Sequence, residues 1–287
     1  MEWVQHFHEN VCALSEAKGM YKTMYYCGCD LGSATGKAVI VDEEKIISWA
    51  VMNSKGNPEK TAQIVLEKAI AKAGLDSREA LSTIVGTGYG REGVSFIQSN
   101  ISEITCHAHG AFWMNTKVRT VIDIGGQDCK VIALNNQGKI LDFMMNDKCA
   151  AGTGRFFEAM GRALDCTLEE LSELALESDN PVAISKQCSV FAESEVVTLI
   201  NKGADIHDIA AGIHDSIARR IFSMANKTGI NAEVVLTGGC AQNQALIRSL
   251  EKRLNFKLAP LSENPQIAGA LGAALLGRDA YCSNHVK

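Results

Sequence analysis

The chain is short of proline and of basic charge. It has only 4 prolines in 287 residues, and its formal net charge is −5. An acidic protein has no general electrostatic reason to bind DNA, RNA or an anionic membrane. With 46% hydrophobic and 21% charged residues, the composition is that of an ordered globular protein rather than a disordered one. We therefore expect a folded protein that binds neither nucleic acid nor membranes.

The sequence also lacks a long apolar run and a secretion signal. No stretch approaches the roughly 20 apolar residues that are needed to span a bilayer. Glu2, Glu9 and Glu16 occupy the N-terminal stretch, where a secretion signal needs basic and then apolar residues. The 10 cysteines are too sparse for a disulfide scaffold. We expect a cytoplasmic protein in which most cysteines are small buried hydrophobic residues.

Residues 1–24 stand apart from the rest of the chain. Trp3, Phe7, Val11 and Leu14 recur at helical spacing and predict an amphipathic helix. This helix is either a packed extension, the interpretation that we favour, or a docking element for a partner.

Two groups of three short apolar segments predict two three-stranded meanders with glycine or acidic turns. The stretch 153–229 reads as almost wholly helical. The predicted strands are 25–31, 37–41, 45–51, 120–124, 130–134, 139–145 and 233–237, and the other predicted helices are 58–73, 243–254 and 266–276.

The first turn of each meander carries the same residues. Residues 29–37 read CDLGSATGK, and residues 122–130 read IDIGGQDCK. The Asp, the first Gly and the Lys coincide without gaps, and chance is a poor explanation for their coincidence at the same turn of two meanders. We predict an α/β fold of two similar halves that face each other.

The chemistry of these turns suits a polyphosphate. Glycines let backbone N–H groups approach phosphate oxygens, and an Asp at a strand end can hold hydrated magnesium or orient a water molecule. Asp30 and Asp123 are therefore catalytic candidates, while Lys37 and Lys130 add positive charge. Either turn alone could equally be an ordinary Gly turn whose Asp accepts backbone hydrogen bonds. The matched pair favours a phosphate clamp.

A third motif, at 236–243, is a strand that runs into a double glycine and then a helix, and it offers a flat surface for a purine and ribose. The chain closes on small residues at 267–274, which let helices pack closely. In this order the motifs resemble the acetate kinase, sugar kinase, Hsp70 and actin superfamily from Tyr25 onward. The resemblance implies two ribonuclease-H-like half-domains with ATP and magnesium in the cleft between them.

Two cysteines lie between the second phosphate turn and the third motif. Cys149, in NDKCAAGTGRF, and Cys188, in KQCSVFAESE, each follow a lysine and precede a predicted helix. Helix N-termini and cations favour the thiolate, which ligates iron–sulphur clusters or zinc. A four-cysteine cluster needs four ligands, so a two-fold homodimer would have to supply the other pair. Two inert buried cysteines are the alternative.

These segments closely resemble activators of 2-hydroxyacyl-CoA dehydratases. The resemblance extends to DIGGQD at 123–128, GTGYGR at 86–91 and CHA at 106–108. The wider family includes ATPase subunits of benzoyl-CoA reductases and reductases of double-cubane-cluster proteins. The resemblance implies a homodimer with one [4Fe–4S] cluster per dimer, held by Cys149 and Cys188 of each subunit. It also implies a ferredoxin or flavodoxin as electron donor and an iron–sulphur dehydratase or double-cubane-cluster protein as acceptor.

The same pattern assigns the site and the domains. Asp30 and Asp123 would position magnesium and water, and Gln127 would orient water or the γ-phosphate. The predicted half-domains are 25–115, to which the final helix at 265–277 is a candidate addition, and 116–287, with a cluster-binding region at 146–202. The nucleotide-binding candidates are Gly32, Ser33, Ala34, Lys37, Gly125, Gly126, Gly238, Gly239, Gln242 and Ala268. Ala34 departs from the pattern, which expects a hydroxyl residue there.

Two other functions compete with electron transfer. A small-molecule kinase of the sugar-kinase type would need its own catalytic base and would not need Cys149 or Cys188. A non-catalytic sensor would bind ATP without turnover. Glu193 and Glu195 are either solvated acids near a helix start or part of a metal–water shell. Cys27 and Cys29 share one face of the first strand and are expected in the core.

Overall fold

The computed structural model describes residues 23–186 and 188–285. The predicted helix that contains Trp3 and Leu14 lies outside these ranges. Within them the chain forms two β-sheets with helices packed against both. None of the helices in these two ranges is long and apolar enough to cross a membrane.

The first sheet contains the first meander and two further strands. Its strands are β1 (Tyr25–Leu31), β2 (Thr35–Val41), β3 (Ile46–Asn53), β4 (Leu81–Thr87) and β5 (Ser99–Asn100), in the order β3-β2-β1-β4-β5. The meander is antiparallel, and β4 runs parallel to β1. The register places Asp30 directly opposite Lys37.

The second sheet repeats this arrangement. Its strands are β6 (Thr120–Ile124), β7 (Cys129–Leu134), β8 (Ile140–Asn146) and β9 (Val234–Thr237), in the order β8-β7-β6-β9. Again the meander is antiparallel, and the last strand runs parallel to the first. Asp123 lies opposite Lys130, just as Asp30 lies opposite Lys37. The internal repeat that the two turns predicted is confirmed as a repeat of strand order and register.

Eight α-helices lie within the described ranges. They are α1 (Pro58–Ala73), α2 (Glu103–Met114), α3 (Gly154–Ala163), α4 (Leu168–Leu176), α5 (Ser189–Asn201), α6 (Ile206–Thr228), α7 (Gln244–Leu254) and α8 (Ala268–His285). The first begins at Pro58 behind an Asn57 cap and ends at Gly74, whose φ of 69° suits glycine. Helix α8 lies very close to strand β1. A Cβ at Gly28 of β1 would overlap the Ala270 carbonyl of α8, so the close contact requires glycine at this position. The final helix thereby packs on the first sheet.

The predicted helical stretch 153–229 is less continuous than expected. Residues 177–186 lie outside helices, between α4 and α5. The sequence reading also missed β4, β5 and α2. These elements carry two of the three family segments noted above, and they complete the first sheet and cover the space between the sheets.

Candidate functional site

Asp30 lies at the end of β1, where it is nearly buried. The Lys37 Nζ lies 3.1 Å from its Oδ2 atom, and the two side chains are 10% and 5% exposed. Gly88 faces the other carboxylate oxygen, because a Cβ at that position would lie 2.5 Å from the Asp30 Oδ1. Lys37 is thus an ion-pair partner that holds Asp30 in place, rather than a separate cation beside it.

Asp123 occupies the equivalent place in the second half and has more partners. Thr237, at the end of β9, donates a hydrogen bond of 2.8 Å to its Oδ1, and the His107 Nδ1 lies 3.1 Å from the same atom. Lys130 contacts its Oδ2 at 3.1 Å. Burial opposes the charge on Asp123, but His107 and Lys130 outweigh it and hold the pKa of this carboxyl well below its usual range. Asp123 is therefore ionised at any physiological pH.

Lys130 lies at the centre of an acidic cluster, and its side chain is only 2% exposed. Its Nζ also lies 2.6 Å from the Asp128 Oδ2 and 3.9 Å from the Glu103 Oε1. Burial disfavours the ammonium, yet the three carboxylates raise the pKa of Lys130 above its usual value. The lysine stays charged and offsets part of the negative charge of the three carboxylates around it.

The two turns are closed in the same way. The Gly32 N–H donates to the Thr35 carbonyl at 3.1 Å, and the Gly125 N–H donates to the Asp128 carbonyl at 2.9 Å. The Gly32 and Gly125 amides are thus hydrogen-bonded to carbonyl groups of their own turns. The phosphate cradle that the sequence predicts would depend on the other amides of each turn.

The turns also meet each other. A Cβ at Gly126 would lie 2.5 Å from the Ala34 Cβ and 3.1 Å from the Ser33 Oγ. Gly126, Ser33 and Ala34 therefore lie side by side across the gap between the two halves. The exposed Gln127 follows Gly126 at the rim. Ala34, the residue that departs from the family pattern, has its methyl group at this contact.

The third motif joins the same site. Gly238 adopts a φ of 84° directly after β9, and a Cβ there would lie 2.9 Å from the Asp123 Oδ1. Only glycine suits both its backbone conformation and this close approach. The exposed Gln242 binds Gln266 at 3.2 Å.

The start of α8 closes the site from the side of the first half. Ala268 is fully buried, and a Cβ at Gly269 would lie 3.0 Å from the Asp30 Oδ2 and 2.7 Å from the His107 Nε2. His107 therefore lies between Asp30 and Asp123. The structure brings both aspartates, the two turns, Gly238 and Ala268 into one region.

The second turn is bonded directly to α3. The Gly154 N–H donates to the Gly125 carbonyl and the Arg155 N–H donates to the Gly126 carbonyl, each at 2.9 Å. These bonds satisfy amides of the first helical turn, which have no partner within the helix. A movement of the phosphate turn must therefore move the N-terminus of α3.

Cys149 lies in the loop just before α3. The cap of that helix is Thr153, so Cys149 precedes the helix, as the sequence predicts, and lies four residues before its cap. The Asn146 Nδ2 donates to the Cys149 carbonyl at 2.8 Å and fixes the loop. The side chain is half-buried and packs against the core of the second half.

Cys188 is exposed and is the N-cap residue of α5, as the sequence predicts. Glu195, two turns into this helix, accepts the Ser185 and Lys186 N–H groups at 3.0 and 2.9 Å. Burial opposes the charge on Glu195, but these bonds lower its pKa. Glu195 therefore anchors the segment before Cys188, which neither interpretation of this residue anticipated.

The two cysteine segments border one cavity, which is lined by Asn146 and Ala151 on one side and by Ser185 and Lys186 on the other. Cys149 is half-buried and Cys188 is exposed, and thiolates are the usual ligands of iron–sulphur clusters. Within the described part of the chain no group of three or more His, Cys, Asp or Glu side chains could hold a metal ion.

Other cysteines are core residues. Cys27 and Cys29 are fully buried, and their Sγ atoms lie 4.0 Å apart in the core of the first half. This confirms the prediction for the pair. Sequence reasoning missed the roles of His107 and Thr237, although CHA at 106–108 had been noted as a family segment and Thr237 directly precedes the double glycine.

Comparison with known proteins identifies relatives along nearly the whole chain. Residues 27–277 match the BadF/BadG/BcrA/BcrD ATPase family. The chain is 43% identical over 256 residues to the 2-hydroxyisocaproyl-CoA dehydratase activator of Clostridioides difficile, covering 89% of this chain and 96% of that protein. It is 44% identical over 260 residues to the (R)-2-hydroxyglutaryl-CoA dehydratase activating ATPase of Acidaminococcus fermentans, covering 88% and 96%.

The fold has a close counterpart among solved structures. The crystallised activator of the 2-hydroxyisocaproyl-CoA dehydratase from Clostridium difficile, with bound ADPNP, superposes with a TM-score of 0.85 at 42% identity. The match covers 92% of this chain and 97% of that one. The predicted fold, two actin-like half-domains of the α/β class, is confirmed.

Proposed function

The chain belongs to the BadF/BadG/BcrA/BcrD ATPase family, and on that premise we propose that it hydrolyses ATP to drive single electrons from an iron–sulphur cluster into a partner enzyme. The observation that carries the proposal is the direct bonding between the second phosphate turn and α3. The Gly125 and Gly126 carbonyls hold the first amides of α3, and the loop before that helix carries Cys149.

The nucleotide would lie between the two turns. The carboxylates of Asp30 and Asp123 would hold hydrated magnesium and a water molecule, and the exposed Gln127 would orient that water or the γ-phosphate. Lys37 and Lys130 offset only part of the charge of Asp30, Asp123, Asp128 and Glu103, so the site keeps negative charge that Mg²⁺ can balance.

Conformational coupling would follow from the contact between the halves. Ser33 and Ala34 of one turn touch Gly126 of the other, so a phosphate chain between them must change their separation. ATP can drive that change only by binding one arrangement more tightly than the other. Since the second turn is bonded to α3, the change reaches the loop that holds Cys149.

Cys149 and Cys188 of two copies would hold one [4Fe–4S] cluster, which supplies a one-electron carrier. The exposed face of α5 supports the pairing of two copies. Val190 and Phe191, in the first turn of α5 after Cys188, are 68% and 65% exposed. Large apolar side chains in such a position are typical of an interface. A second chain that covered them would also bring its own cysteines to the same place.

The names of the relatives indicate the partner. Two of them are an activator and an activating ATPase of 2-hydroxyacyl-CoA dehydratases. We propose an iron–sulphur dehydratase of that type or a double-cubane-cluster protein as electron acceptor, and a ferredoxin or flavodoxin as donor.

Replacement of the cysteines tests the proposal. We expect anaerobically purified Cys149→Ala and Cys188→Ala each to lose bound iron and the brown absorbance while still binding ADPNP. Cys166→Ala is the matched control, because Cys166 is also half-buried but lies between α3 and α4. A cluster that survives in Cys149→Ala, or a monomeric iron-free wild-type protein that hydrolyses ATP, would contradict the proposal.

A further inference from the structure

A cavity of about 640 Å³ lies beside the edge strand β8, under α6. This volume is within the range of about 300–1,000 Å³ that is usual for small-molecule sites. It is lined by the end of β8, by the loop on either side of Cys149, by the segment before Cys188 and by one face of α6. None of the lining residues belongs to the two phosphate turns or to the 238–242 motif. The cavity is therefore separate from the nucleotide cleft.

The charge of the lining is one-sided. Four basic side chains, Lys186, Arg219, Arg220 and Lys227, line the cavity together with three serines, and none of its lining residues in the described ranges is a carboxylate. The whole chain has a net charge of −5, so this concentration of positive charge runs against the general composition. Arginine and lysine heads beside hydroxyl groups are the donors that phosphate and carboxylate groups need.

Carboxylates near the cavity have other partners. Asp215 lies 3.9 Å from Arg219, but it binds Arg253 at 2.6 Å on the other side. Glu195 lies near Lys186, but its oxygens accept the backbone N–H groups of Ser185 and Lys186. These acids reduce the positive potential of the cavity without cancelling it.

The floor of the cavity is apolar. Met144 and Met145 are half-buried and provide its accessible apolar surface, backed by the buried Phe156, Ile184, Ile217 and Met224. A bare inorganic anion would leave this surface in contact with water. An organic anion can cover the floor with an apolar body and place its charged groups against the basic rim.

We propose that this cavity is a second ligand site that binds an organic anion with at least two negative charges, a phosphate ester or a polycarboxylate, and an apolar body. The concave shape and the convergence of basic heads favour a small molecule over the surface of a partner protein. Because the cavity is bordered by both cysteine segments, an occupant links them and restricts their relative movement. The proposal does not depend on the proposed electron-transfer function.

Direct binding of 1-naphthyl phosphate, with saturating ADPNP and magnesium to block the nucleotide cleft, tests this site. We expect calorimetric titration to show binding at or below about 1 mM. The double variant Lys186→Glu/Lys227→Glu should weaken binding at least about tenfold, because charge-assisted hydrogen bonds are lost and repulsion replaces them. Lys68→Glu/Lys252→Glu, which changes the net charge equally at exposed lysines outside the cavity, should leave the affinity unchanged.

Four results would overturn the proposal. These are the absence of binding at millimolar probe with or without ADPNP, binding only when ADPNP is left out, equal affinity in the Lys186→Glu/Lys227→Glu variant, and equal binding of uncharged 1-naphthol. Unchanged circular dichroism and melting temperature would establish that the variants are folded. Since the titration measures neither the cluster nor electron transfer, its failure would leave the proposed function intact.

Discussion

At the scale of single residues, the site is built from ion pairs between adjacent strands. Asp30 faces Lys37, and Asp123 faces Lys130, at equivalent positions of the two sheets. The sequence predicted these residues and their repeat, because the Asp, Gly and Lys positions coincide. It did not predict that each lysine would form an ion pair with the aspartate of its own turn, because that pairing depends on the strand register.

Lys130→Met should strongly destabilise the second half. The substitution leaves Asp123 buried without its lysine partner, and loss of one partner of a buried pair costs about 3–5 kcal/mol. Urea denaturation at neutral pH measures the change in the free energy of unfolding. Lys139→Met is the matched control, because Lys139 is exposed on the loop before β8 and should cost almost nothing. Equal stability of the two variants would contradict our account of the cluster.

His214 should make stability depend on pH in the acidic range. This residue is fully buried, its Nδ1 donates to the Ala210 carbonyl, and its Nε2 accepts from Asn243, the cap of α7. Burial lowers the pKa of His214 to about 4, whereas an unfolded chain takes up the proton below its ordinary value of 6.5. Stability should therefore fall as the pH decreases from 6.5 towards 4, by roughly 2–3 kcal/mol.

Unfolding of wild-type protein and His214→Gln at pH 7 and pH 4.5 isolates this contribution, because the variant lacks the titrating group. Parallel pH profiles for wild type and His214→Gln would show that the buried imidazole does not control the effect.

At the scale of elements, the strands with clear alternation or clear turns were predicted to within two residues. β4 and α2 were missed. Helix α2 contains two histidines and Gly110, which are weak helix formers, and its position depends on tertiary contact with α8. A Cβ at Gly110 would overlap the Ala268 carbonyl at the start of α8. Such an interhelical contact is not visible in a local sequence pattern.

Gly110→Ala should destabilise the protein although alanine is the better helix former. The overlap with the Ala268 carbonyl forces α2 and α8 apart, and overpacking of this kind costs about 1–3 kcal/mol. Thermal melting should show the loss, and ADPNP affinity should fall with it because α8 begins beside Asp30. Gly56→Ala, where a Cβ meets nothing within 4 Å, is the control. A stabilised Gly110→Ala protein would mean that the helix propensity of alanine outweighs the overlap with the Ala268 carbonyl.

At the scale of the whole molecule, the two-halves architecture followed from the sequence repeat, whereas the contact between the halves did not. His107 and Thr237 come from distant parts of the chain and meet at one oxygen of Asp123. No spacing rule relates residues 107, 123 and 237. Their roles became visible only when the strand order and the helix packing were known. The limits of the two half-domains stay a prediction.

Gly126→Ala should weaken nucleotide binding more than it weakens the fold. The added methyl group would press on Ala34 of the opposite turn and hold the halves apart. We expect ADPNP affinity to fall by about tenfold or more, with a melting temperature close to that of Gly56→Ala. Calorimetric titration measures the affinity. Unchanged affinity would show that the two turns need not approach each other to bind the nucleotide.

The hydrogen bonds from Ser185 and Lys186 to Glu195 have a consequence for how the protein would mature. They hold the segment before Cys188 against α5, the helix that Cys188 caps, by contacts that involve no metal. Under the proposed function, iron would thus be inserted between cysteine segments that are already folded, and the chain would not need to refold around the metal. Protein stripped of iron should keep its helical content and accept a fresh cluster, unlike small domains that collapse when a chelator removes their zinc.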